Sequence, residues 1–345
     1  MYNIVFIGFG VVGSELARIL NDKREHLRKC GFEYNVLGIC DLVEGSIYDE
    51  NGLDIEKVLE LSKKKGKIMD YPAKEKGLKS VEMIKKPEVD IVVEATPTNV
   101  KTGEPGLTHY RTALENKKHI VSTNKGPVAL KYRELKEIAD KNGVYMGFEG
   151  TVLSGTPVIN LATRDLAGCE IRSIQGILNG TTNYILTKME EGRPYEDVLK
   201  EAQKLGYAET DPTADVEGFD ALAKIVILAN SIMDVDLDLN LVPREGITKI
   251  TLEDIQKAKK NGKRIKLIGK AWIENGEIKA KVSPEELPLT HPLANVMGVL
   301  NAITFETDVA GDVTTIGPGA GGSTAGYAML TDMLEINRRF GGRKR

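Results

Sequence analysis

A short apolar run, Asn3 to Ile7, feeds directly into Gly8-Phe9-Gly10-Val11-Val12-Gly13, and a helical pattern continues from Val11 towards Arg28. Strand, G-x-G-x-x-G and helix in this order restrict the fold more than any other stretch of the chain. The glycines allow a tight turn and close backbone approach, and the helix N-terminus attracts a pyrophosphate. The expected class is α/β, a Rossmann-type doubly wound parallel sheet, with Gly8, Phe9, Gly10, Val11, Val12 and Gly13 against a dinucleotide.

The next strand, Asn35 to Cys40, ends in Asp41, whose carboxylate can accept hydrogen bonds from the adenosine ribose. Asp41 favours NAD by repelling a 2′-phosphate. Lys57 or the Lys63 to Lys65 cluster could instead fold back towards such a phosphate, so NAD(P) stays unresolved at this point. Two helices, Ile55 to Lys65 and Ser80 to Lys86, read as solvated crossovers. Strand Val89 to Glu94 leads into Ala95-Thr96-Pro97, and strand His119 to Ser122 into Thr123-Asn124-Lys125-Gly126-Pro127. Ligands bind beyond the carboxyl ends of such strands, which brings Thr96 and Lys125 to a cofactor cleft; plain turn chemistry and a solvated lysine are the alternatives. Helix Tyr132 to Lys141 and strand Val144 to Phe148 close a first domain spanning 1–148. A small-residue loop, Glu149 to Pro157, suits a crossing between domains.

From Pro157 the pattern changes to helix Pro157 to Leu166, strand Glu170 to Leu178, and Asn179-Gly180-Thr181-Thr182-Asn183 capping a helix Tyr184 to Glu191. Gly180 and Thr181 could offer backbone N–H groups to a carboxylate. After helix Tyr195 to Leu205, helix Leu252 to Lys260 and strands Ile265 to Ile273, Glu277 to Val282, Ala302 to Thr307 and Asp312 to Ile316 indicate an α+β domain with a mixed sheet, covering 149–318. Gly317-Pro318-Gly319-Ala320-Gly321-Gly322 and helix Ser323 to Arg338 then return the chain, so that 319–345 completes the first domain.

The most informative stretch of the second domain is Leu205 to Asn230. It opens as an acidic loop with Glu209, Asp211 and Asp215 and turns helical from about Val216. Apolar residues cover most of that helix, as on a helix buried nearly all round. Yet Asp220 and Lys224 stand four apart on one face. They are either a surface ion pair or the lining of a polar cleft, where burying charge is expensive unless something uses it. An ammonium among carboxylates could protonate an oxygen while spare carboxylates hold an amine.

Composition excludes several classes. With a formal net charge of −3 over 345 residues and interspersed basic residues, nothing favours nucleic acid or an anionic membrane. No apolar run reaches the ~20 residues of a membrane span, and Met1 leads straight into a strand, which points to a soluble, cytoplasmic protein. Cys30, Cys40 and Cys169 are scattered, without zinc or disulfide spacing, and each reads as a small buried apolar residue.

With these segments in place the chain resembles homoserine dehydrogenase over nearly all its length. The resemblance rests on G-F-G-V-V-G at 8–13, T-N-K at 123–125, L-N-G-T-T-N-Y-I at 178–185, G-Y-A-E-T-D-P-T-A-D-V-E-G-F-D at 206–220 with Lys224, and G-P-G-A-G-G-S-T-A at 317–325. It implies reversible NAD(P)H-dependent reduction of L-aspartate 4-semialdehyde to L-homoserine. Lys224 would then be the proton donor and Lys125 the second lysine; Glu209, Asp220 and Asp215 would belong to the substrate site. Thr96, Gly206 and Gly321 would touch the cofactor. A sodium ion would lie at Glu149, Val152, Ser154 and Thr156, held largely by backbone carbonyls, and a homodimer would form through the second domain. Because the chain stops at Arg345, a C-terminal regulatory domain is not expected. Two rivals fit less well: an aspartate-semialdehyde dehydrogenase needs a thiolate that Cys169 is poorly set to supply, and a non-catalytic NAD(P) sensor has no use for the acidic stretch.

Overall fold

Ile4, Val5, Phe6 and Ile7 are sealed from solvent on both sides of their strand, so this run can only be a central strand of a two-sided sheet. The computed structural model describes residues 1–64 and 67–341; Lys65 of the Lys63 to Lys65 cluster and the terminal Arg343-Lys344-Arg345 lie outside them. The chain divides into two compact units, Met1–Thr151 with Gly321–Arg345, and Val152–Ala320.

In chain order the first unit contains β1 (Tyr2–Ile7), α1 (Val11–Asp22), α2 (Arg24–Lys29), β2 (Tyr34–Asp41), β3 (Gly45–Tyr48), α3 (Ile55–Ser62), β4 (Glu75–Lys76), α4 (Ser80–Ile84), β5 (Ile91–Glu94), α5 (Gly106–Glu115), β6 (His119–Ser122), α6 (Lys125–Asn142) and β7 (Met146–Gly147). The second contains β8 (Ile171–Ile177), α7 (Gly180–Met189), α8 (Tyr195–Lys204), α9 (Thr213–Val216), α10 (Phe219–Ile232), α11 (Leu252–Lys260), β9 (Lys263–Glu274), β10 (Glu277–Pro288), β11 (Leu300–Thr307) and β12 (Asp312–Pro318). Helix α12 (Gly322–Phe340) then rejoins the first unit.

The first sheet has the order β4-β3-β2-β1-β5-β6-β7. Strands β2, β1, β5, β6 and β7 run parallel, as expected of a Rossmann-type sheet, and the short β3 and β4 add an antiparallel edge. The direction of winding reverses between β1 and β5, which is where such a sheet opens a ligand crevice. Helix α12 lies along α1, and its Met329, Leu330, Met333 and Ile336 enter the same core as Leu16, Leu20, Phe6 and Val93.

The second sheet, β10-β9-β8-β11-β12, is antiparallel at every pairing, where the sequence had suggested a mixed sheet. Helix α10 packs on β8, β9 and β10 and is buried all round, every residue from Ala221 to Asn230 being shielded from solvent. Other differences are local. The first helix breaks at Lys23; the short α9 falls within the stretch read as an acidic loop, and Gly218, with φ 79°, delays the long helix from about Val216 to Phe219. The expected helix Pro157 to Leu166 is reduced to a short stretch that widens to π geometry at Leu161–Asp165. The three cysteines are not the buried residues expected: Cys30, just past α2 and beside His26, is exposed, and Cys40 and Cys169 are half-buried.

Candidate active site

The turn after β1 is built around Gly8, whose φ of +96° is open to glycine and strained for other residues. A Cβ there would stand 2.5 Å from the Ala95 carbonyl oxygen, so the absent side chain is what lets the loops after β1 and β5 close together. Helix α1 then starts at Val11 with no side chain capping its first turn, which leaves its N–H groups for a ligand. Asp41 ends β2 and accepts from the Phe9 N–H at 2.8 Å, the Val43 N–H at 2.7 Å and the Glu44 N–H at 3.0 Å. Burial pushes this carboxyl up, but the three backbone donors outweigh it and hold its pKa below the usual carboxylate range. Asp41 is thus an anion tied to the glycine loop, followed by the fully exposed Leu42.

Thr96, half-buried, follows β5, and Lys125, also half-buried, is the first residue of α6. The backbone leaves helical geometry at Lys131 (φ −142°, ψ 31°), so the segment from Tyr132 starts where the sequence put it, and the stretch from Lys125 before that kink is the part the sequence left unread. Asn124 caps the earlier start by accepting from the Gly126 N–H at 3.1 Å, and a proline in the first turn removes only an N–H that has no helical partner anyway. Gly321 is the residue before α12 in this same unit.

In the second unit the structure brings Asp215, Asp220 and Lys224 together. Lys224 is 7 % exposed; its Nζ donates to Asp220 Oδ2 at 2.6 Å and to the Leu178 carbonyl at 2.6 Å. The surface ion-pair reading is therefore excluded. Asn179 completes the cluster: its Nδ2 donates to Asp215 Oδ1 at 2.6 Å and to Asp220 Oδ2 at 3.0 Å, while its Oδ1 accepts from the Thr182 N–H at 2.9 Å. That cap starts α7 at Gly180, not at Tyr184. Sequence reasoning had read Asn179 only as part of a capping loop, although an Asn directly before a helix start was the available signal. Gly180 and Thr181 form the first turn of α7, and the Thr181 hydroxyl donates to the Tyr207 carbonyl at 2.6 Å, tying that turn to the acidic loop. Glu209 and Gly206 lie on this exposed loop. Glu209 lines an open depression of about 540 Å³ with Gln203, Ala208, Thr210 and Asp211.

Burial, with the Asp220 charge adding to it, pushes the Asp215 carboxyl above its ordinary value despite the Asn179 hydrogen bond. A raised carboxyl pKa favours the fold at low pH and is a liability once pH rises through the folded value. Asp215→Asn keeps an oxygen for Asn179 and removes the charge. Its melting temperature should exceed that of the wild type at pH 7, by on the order of 2 °C, and the gain should vanish below about pH 4, as calorimetry at the two pH values would reveal.

The four residues implied for sodium are divided by the unit boundary. Glu149 is buried in the first unit, its N–H donating to Asp332 Oδ2 at 3.0 Å. In the second, Val152 is followed by Leu153 and Ser154, two successive non-glycine residues with φ of 54° and 52°. Such backbone is uncommon for residues that carry a Cβ. The Thr156 hydroxyl donates to the Pro318 carbonyl at 3.0 Å.

A glycine loop at the switch point of a doubly wound sheet, and an ammonium among carboxylates on a separate α+β unit, define the class: a nicotinamide-dependent oxidoreductase. Comparison with known proteins gives the family. Residues 8–149 match the model of the homoserine dehydrogenase NAD-binding domain, and residues 157–334 match that of homoserine dehydrogenase. The chain is 49% identical over 335 residues to homoserine dehydrogenase of Methanocaldococcus jannaschii, covering 97% of this chain and 98% of the relative. It is 42% identical over 339 residues to an NAD(+)-dependent homoserine dehydrogenase of Pseudomonas canavaninivorans, covering 98% and 96%. The crystal structure of a putative homoserine dehydrogenase from Archaeoglobus fulgidus superposes with a TM-score of 0.87 at 40% identity, covering 97% of this chain and 99% of that one. The chain belongs to the homoserine dehydrogenase family.

Proposed function

We propose that the chain catalyses the reversible reduction of L-aspartate 4-semialdehyde to L-homoserine on the route to threonine, methionine and isoleucine, with Lys224 protonating the carbonyl oxygen. The observation that carries this reading is the buried Lys224 ammonium held by Asp220 and the Leu178 carbonyl. A bound NAD(P)H supplies the hydride to the carbonyl carbon. As that carbon is reduced, charge grows on oxygen, and the Lys224 ammonium stabilises and then protonates it. In the reverse direction the same amine takes the hydroxyl proton. Glu209, Asp215 and Asp220 hold the substrate amine, and the first turn of α7, with Gly180 and Thr181, takes its carboxylate.

On the first unit, Gly8, Phe9, Gly10, Val11, Val12 and Gly13 carry the pyrophosphate, Asp41 meets the adenosine ribose, and Thr96, Lys125 and Gly321 meet the remainder. Lys125 serves as the second lysine. Glu149, Val152, Ser154 and Thr156 would hold a sodium ion that orders the loop, mostly through carbonyl groups. Exposed Leu300 and Ile316 on β11 and the edge strand β12 support a homodimer through the second sheet. Among the described residues no helix is long and apolar enough to cross a membrane, in keeping with a cytoplasmic enzyme.

The reading is tested by following reduced nicotinamide with L-homoserine and NAD or NADP side by side. Absence of homoserine-dependent reduction with both, in protein that binds cofactor, would reject it. Glu209→Gln should raise KM for L-homoserine about tenfold, the equivalent of one lost charge-assisted hydrogen bond, with kcat little changed. An unaltered KM would remove Glu209 from the substrate site.

A further inference from the structure

Glu94, the last residue of β5, is completely buried in the first unit. A carboxylate is expensive to bury, and this one faces four polar groups from three segments: the loop after β5, helix α5 and strand β6. Its Oε1 faces the Thr96 N–H at 3.3 Å, the Thr96 hydroxyl, and His109 Nδ1 of α5 at 3.4 Å. Its Oε2 accepts from the Ser122 hydroxyl at the end of β6, at 3.0 Å. Ser122 Oγ in turn accepts from the Asn124 N–H at 2.9 Å, and Asn124 is the cap that starts α6 at Lys125. His109 is fixed from its other side by Ser80 of α4 at 2.9 Å.

An apolar residue at this position would fill the space but take this partner from the buried Ser122 hydroxyl and His109. What the carboxylate adds is a common anchor for the two chain ends, after β5 and β6, that lie beside the switch point. We propose that Glu94 is a positioning residue for nicotinamide binding and hydride transfer: it fixes Thr96 directly and sets Lys125 through Ser122 and Asn124. The inference rests on the assignment of Thr96 and Lys125 to the cofactor made above.

Glu94→Gln keeps the volume but turns one acceptor into a donor that faces the Ser122 hydroxyl. It should weaken NAD binding, measured by calorimetry without substrate, about tenfold or more and lower kcat for L-homoserine oxidation to a similar degree. Ser122→Ala cuts the same link while leaving the carboxylate in place. If the link is what matters, the effects of the two substitutions on NAD affinity and kcat are strongly non-additive in the double variant. Glu94→Asp, one methylene shorter, should recover part of the loss. NAD affinity and kcat within twofold of wild type in both single variants would overturn the proposal, as would additive effects accompanied only by a fall in Tm. Should Glu94→Gln fail to fold, Ser122→Ala alone decides, since normal NAD affinity and kcat in that variant contradict the route to Lys125. Wild-type protein that binds NAD but ignores L-homoserine would contradict the proposed reaction without touching this inference.

Discussion

Lys224→Met loses turnover by about 10³-fold or more while binding NAD(P) almost normally. The loss reflects two roles in one group, since a general acid is typically worth 10²–10⁴-fold and a fixed charge at a developing oxyanion 10²–10³-fold. Methionine fills the same space but leaves Asp220 with only Asn179 among the partners described above. Removing one member of a buried pair costs about 3–5 kcal/mol in stability, so the variant should also melt earlier. Titration with NAD separates the two effects: unchanged affinity with no turnover assigns Lys224 to chemistry, whereas affinity and turnover falling together would make it a structural lysine.

Gly8→Ala abolishes productive cofactor binding, with Kd for NAD rising about 100-fold. A positive φ costs on the order of 1–3 kcal/mol for other residues, and the new methyl would collide with the backbone of Ala95 rather than with a flexible side chain. Gly10→Ala is the control. Nothing stands within 4 Å of a Cβ at Gly10 and its φ is −71°, so the protein without cofactor should keep its Tm. Any loss of NAD affinity in Gly10→Ala then reports contact with the ligand, while equal tolerance of both substitutions would contradict the assigned path of the pyrophosphate.

Much of this was legible in the sequence because its strongest signals are local. Strand β1, the glycine turn and helix α1 occupy one continuous stretch, and helix α11 and strand β6 fall within the bounds that periodicity gives. Helix starts were harder where poor helix formers sit in the first turn. Gly180, Thr181, Thr182 and Pro127 argue against helix by propensity, yet capping by Asn179 and Asn124 and burial of the turn outweigh it. Strands β3 and β4 escaped notice because four and two residues carry no readable alternation. Strand direction in the second sheet depends on pairing between distant segments, which hydropathy does not encode. In the site, the four-residue spacing of Asp220 and Lys224 was visible. Their burial beneath Leu178 and Asn179 was not, since those partners lie more than 40 residues away.

The position of α12 has a consequence for biosynthesis. The core of the first unit is shared between the opening third of the chain and residues 329–336. During translation that core cannot close until nearly the whole polypeptide has left the ribosome, whereas the second unit, Val152–Ala320, is continuous and lacks nothing once emitted. The segment made first is thus the last to finish folding. Until α12 arrives, the nascent nucleotide-binding half leaves open the side of α1 on which α12 packs, a ready target for chaperones and proteases.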